Sequence, residues 1–88
     1  MKYNAKARMG ARRNSLLGPR IEYVYWAVEN ERGESYANIT DEIVEGEEYS
    51  AQEFAEVLAY ALSEGLPVSE SGGLTPAQFH YARDHMNA

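Results

Sequence analysis

The chain contains no cysteine. This excludes a disulfide framework and any thiolate-bound zinc. An 88-residue domain without such staples must be held by core packing alone. No apolar run approaches the ~20 residues that a membrane helix needs, so no membrane contact is expected. The first twenty residues carry positive charge but no apolar h-region, so the cytoplasm is the expected compartment. There are two histidines, His80 and His85. Five residues along a helix turn about 140° around it, so the two do not share a face, and with no third ligand nearby no metal site is expected. Phosphate-loop spacing, a nucleophile elbow and the ligand alternation of a calcium loop are all missing. The expectation is a protein without cofactor or catalytic centre.

Two further absences concern charge. Residues 1–20 contain no acid but six of the eight basic residues, Lys2, Lys6, Arg8, Arg12, Arg13 and Arg20. Residues 21–88 contain all fourteen acids and two cations, Arg32 and Arg83. From Gly33 to Ala82 there is no Lys or Arg at all. The net charge of −6 thus joins a +6 segment to a −12 segment, and the two would attract opposite partners.

The expected fold class is α+β: a β-hairpin packed on two C-terminal helices, behind a basic N-terminal arm. Residues 1–19 read as a flexible arm punctuated by Gly10, Gly18 and Pro19, and residues 20–88 as one acidic domain. Ile21 to Val28 is rich in aromatic and β-branched residues and reads as a strand. Asn30 to Glu34 supplies a turn, and Ser35 to Thr40 returns as the second strand. A third short strand at Glu42–Glu45 is an open alternative. Ser50 and Glu53 form a capping-box pattern, and Tyr49 and Phe54 the matching staple. Phe54, Val57, Leu58, Ala61 and Leu62 repeat at helical spacing. Gly65, Leu66 and Pro67 end that helix. Thr75, Pro76 and Gln78 open a second helix, whose inward face is Phe79, Ala82 and Met86.

The acidic segment is the first candidate site. Asp41, Glu42, Glu45, Glu47, Glu48, Glu53 and Glu56 stand as phosphate surrogates, with Tyr36 and Tyr49 as flanking aromatic anchors. Closely spaced carboxylates on a scaffold can occupy a basic nucleic-acid groove, with electrostatic steering of the encounter. The plainer alternative is a solubilising surface. The second candidate site is the arm, where Lys6, Arg8, Arg12 and Arg13 are candidate contacts to RNA or DNA phosphates.

In size, acidity and lack of catalytic motifs the chain resembles the small inhibitors encoded by phages, among them anti-CRISPR proteins and DNA mimics. That class shares no common motif, so the likeness carries over no residue. The arm, with Ala5, Lys6, Arg8, Arg12 and Arg13, resembles the arginine-rich motif of lambdoid phage N antiterminators. That resemblance implies binding of a small RNA hairpin by a bent helix. The leading expectation is a non-enzymatic protein that inhibits or modulates a nucleic-acid-handling complex, by presenting acids to a partner with a basic groove in the host cell cytoplasm. The alternatives are an RNA- or DNA-binding regulator that uses the arm, and a structural or assembly protein.

Overall fold

The computed structural model describes residues 1–13 and 15–88. Three strands, β1 (Tyr3–Arg12), β2 (Ile21–Asn30) and β3 (Ser35–Ile39), precede two helices, α1 (Ala51–Glu64) and α2 (Pro76–Met86). The sheet is antiparallel in the order β1-β2-β3. The class is α+β, with the helices in the C-terminal half. α1 lies against all three strands, and α2 packs on α1.

The basic segment departs from expectation. Tyr3–Arg12 is not a flexible arm but the longest partner of β2, paired with it from Tyr3↔Asn30 to Arg12↔Ile21. The residues alternate: Tyr3, Ala5, Ala7, Met9 and Ala11 share one face, and Asn4, Lys6, Arg8, Gly10 and Arg12 the other. Alanine and lysine are poor strand formers, so the pairing draws on β2, where Val28 is buried in the core and Trp26 packs against it. A turn over Ser15–Gly18 joins the two strands, closed by the Gly18 N–H donating to Ser15 O at 3.1 Å.

β2 returns to β3 through Asn30–Glu34. The Asn30 Oδ1 accepts from the N–H groups of Arg32 (2.9 Å) and Glu34 (3.0 Å), and Gly33 takes φ 80°. The register shifts between Val28 and Glu29, leaving Tyr36 as the extra residue on β3.

The alternative of a third short strand at Glu42–Glu45 is not realised. The chain instead winds through successive turns, with Ile43 N–H to Thr40 O, Val44 N–H to Asp41 O and Glu45 N–H to Glu42 O at 3.1–3.4 Å. These local bonds consume the main-chain groups a ladder would need. Val44 alone of this stretch is buried, and it pins the turns to the core.

The helix ends follow the sequence closely, with one exception. Ser50 Oγ accepts from Glu53 N–H at 3.1 Å, but the Glu53 carboxylate turns to Arg83 Nη1 at 3.4 Å, so the expected capping box of α1 is half made. Leu66 N–H reaches Ala61 O at 2.8 Å and Gly65 adopts φ 70°, which completes a Schellman end. Thr75 and Gln78 form the full reciprocal box of α2.

The core is the helix-side face of the sheet, Val28 and Ile39, closed by Phe54, Ala55, Val57, Leu58 and Ala61 of α1 and by Phe79 and Ala82 of α2. Tyr49 stacks on Phe79 with ring centroids 4.0 Å apart and on Phe54 at 5.8 Å. Leu58 is fully enclosed. Leu58→Ala is expected to lower unfolding free energy by about 2–5 kcal/mol, a large share of the stability of a small domain. Urea titration with an unchanged slope checks this.

Candidate nucleic-acid interface

A strand offers side chains to opposite sides at alternate positions, so the burial of Val28 and Ile39 under α1 decides what the other side shows. The register sets Lys6 opposite Ala27, Arg8 opposite Tyr25, Gly10 opposite Tyr23 and Arg12 opposite Ile21, all on the face away from the helices. Neither helix covers that face. Three of the four basic residues singled out in the sequence, Lys6, Arg8 and Arg12, therefore stand in one row on it, all exposed. Arg13 is exposed just past the end of β1.

Each cation on the row has a different setting. Arg8 makes a two-pronged bond to Glu29, Nη2 to Oε1 at 2.7 Å and Nε to Oε2 at 3.1 Å. Arg8 sits opposite Tyr25 and Glu29 sits opposite Asn4, so the arginine runs across the Lys6–Ala27 pair to reach its partner. This accounts for the burial of both Ala27 and Glu29 on a face whose other residues are half-buried or exposed. The hydrogen bond from Arg8 holds the Glu29 carboxyl below its ordinary range, against a smaller desolvation effect of opposite sign, and the same bond raises Arg8. Arg12 lies 5.7 Å from the Tyr23 ring centroid and 3.4 Å from Glu42 Oε1. Lys6 has no side-chain hydrogen bond among the described residues.

The aromatic part of the face was not singled out in the sequence. Tyr23 and Tyr25 are half-buried, with centroids 5.9 Å apart. Tyr23 lies across Gly10: a Cβ there would come within 2.5 Å of its ring. The missing side chain is what lets the ring lie flat on the sheet. The signal available in the sequence was the period-two alternation of residues 3–12.

The acidic candidates are spread over two elements. Asp41, Glu42, Glu45, Glu47 and Glu48 are exposed on the turns before α1. Glu53 meets Arg83, and Glu56 accepts from Gln52 Nε2 at 3.0 Å on α1. Glu42 and Glu53 thus each face a cation, Glu42 in an exposed pair worth little on its own and Glu53 in a part-buried one. Tyr36 stays exposed and meets the Tyr3 ring edge-on at 6.0 Å. Tyr49 is committed to the core stack, and burial, then Glu47 and Glu48, raise its hydroxyl above the ordinary range while Arg83 acts against them. Among the described residues no group of three or more His, Asp or Glu is placed to hold a metal ion, and no helix is long and apolar enough to cross a membrane.

No protein-family model matches the chain, and no curated protein or solved structure is significantly similar to it.

The lowered Glu29 has a pH consequence. A carboxyl that is more acidic folded than unfolded adds stability above its unfolded pKa, and that part is lost as pH falls through the folded value. Glu29→Gln is expected to be less stable than the parent near neutrality but to lose less of its stability below about pH 5. Urea midpoints measured across that range check the convergence.

Proposed function

We propose that the protein binds single-stranded nucleic acid on the open face of its sheet, as a non-enzymatic regulator. The observation that carries this reading is the row of Lys6, Arg8 and Arg12 beside the rings of Tyr23 and Tyr25 on one uncovered face. Proteins that hold single strands combine backbone-tracking cations with aromatic rings on which bases stack. Lys6, Arg12 and Arg13 meet phosphates in this scheme. Arg8, fixed by Glu29, presents the flat of its guanidinium at a set position. The acid-rich remainder repels the same ligand and so restricts it to this face. It is also free to meet a protein.

Fluorescence anisotropy with a labelled oligothymidylate or oligouridylate tests the proposal. Three phosphate contacts give a log–log salt slope of about −2 for a single strand. Lys6→Glu with Arg12→Glu is expected to remove binding at low salt, and Tyr23→Ala to weaken it by about 1–3 kcal/mol for one lost stacked base. No binding at low salt, or binding that ignores the charge reversal, ends this reading.

A second reading rests on Glu45, Glu47 and Glu48. They are exposed beside the buried Val44 and meet no cation among the described residues. Here they act as phosphate surrogates toward a protein with a basic nucleic-acid-binding groove. The expected result is that a nuclease-treated lysate yields a partner that salt releases, and that reversing all three charges abolishes its retention while the circular dichroism spectrum is unchanged.

A further inference from the structure

β1 is an edge strand, and the direction of its main chain can be read from its first residue. Tyr3 N–H donates to Ser63 Oγ on α1 at 2.8 Å, and Tyr3 O lies 3.4 Å from the same oxygen. Tyr3 therefore turns its main-chain groups away from β2. In an antiparallel ladder alternate residues point the same way, so the N–H and C=O groups of Ala5, Ala7, Met9 and Ala11 also face outward. Among the described residues nothing bonds them. Ser63 closes the first position, and the following four are open.

The surroundings of this edge differ on its two sides. Toward the helices an open groove of about 780 Å³ lies at the start of β1, reaching as far as Ala5, with Ala59, Tyr60, Glu31, Glu56 and Glu64 in its walls. Away from the helices stands the row of Lys6, Arg8 and Arg12. A second copy of β1 is a poor occupant. Antiparallel pairing centred on Ala7 would set Lys6 of one copy beside Arg8 of the other, and Glu29 is already engaged by Arg8 while no acid within residues 1–20 meets Lys6. A nucleic acid is also a poor match for the edge itself, because phosphates only accept and would leave the outward carbonyls unmet. A polypeptide strand supplies donors and acceptors at the right repeat.

We propose that β1 accepts an extended segment of another protein as a fourth strand, one with carboxylates at alternate positions. The carboxylates lie on the open side against Lys6 and Arg12, away from Glu56 and Glu64, and the apolar residue beside Ala5 faces Ala59 and Tyr60. Main-chain bonds supply affinity and the alternating charge supplies selectivity. The site is distinct from the stacking face, since it uses main-chain groups, but it shares two cations with it. An acidic strand and an oligonucleotide therefore compete.

The test uses the full chain, labelled with nitrogen-15, and a synthetic ten-residue peptide that alternates valine and glutamate. At a peptide concentration ten times its Kd, hydrogen exchange of the Ala5, Ala7, Met9 and Ala11 amides is expected to slow about tenfold, with little change at Lys6 and Arg8. Ala7→Pro removes one outward donor and none from the β1–β2 ladder, and is expected to weaken binding at least tenfold. A peptide alternating valine and lysine is expected not to bind. Absence of binding at millimolar peptide, protection confined to other amides, or equal affinity for the lysine peptide each overturns the proposal. The exchange pattern of the parent chain decides the matter even if Ala7→Pro fails to fold.

Discussion

Burial of Val28 beneath α1 is the constraint on which the other features depend. A strand shifted by one residue exchanges its faces. With Val28 inward, Trp26 and Val24 share its side, and Tyr23, Tyr25, Ala27 and Glu29 are turned outward. The pairing then transmits the choice to β1, where it separates the small apolar residues from Lys6, Arg8 and Arg12. One buried valine thus determines which way three cations point. It is held by a helix whose own inward face is largely alanine, which lets α1 sit close to the sheet.

The charge division visible in the sequence survives folding, but in a different form. The basic segment is not a loose appendage. It is one side of a sheet, in which Arg8 is tied to Glu29 and Arg12 leans toward Glu42 and Tyr23. The acidic segment is divided between turns pinned by Val44 and the outer side of α1. Order favours the cations as a recognition element. Their spacing is set by the pleat, whereas each acid on the turns rests on an exposed local backbone.

Much of the fold was legible because its signals are local. The caps of both helices, the helical repeat from Phe54 to Leu62 and the Asn30–Glu34 turn each depend on residues close in sequence. The half-made box at Ser50 was not legible, since Glu53 prefers a partner thirty residues away. β1 was missed for a different reason. Its alternation is complete, but it is written largely in alanine, with asparagine, lysine and glycine, whose weak strand preference hides the period. Gly10 reads as a breaker in isolation, and only the ring of Tyr23 lying over it reveals a seat. The candidate cations could be named from the sequence, whereas their common face and the two tyrosines beside them needed the register.

The bond between Tyr3 and Ser63 spans sixty positions. During synthesis β1 is made before the other four elements, and its hairpin with β2 is marginal alone. The strand waits for the last turn of α1 before its first residue can be fastened. Of the described elements the first made is thus among the latest to settle, and its edge stays unpaired until then. Its lysine and arginines, like charges that keep neighbouring nascent chains apart, give that interval a safeguard.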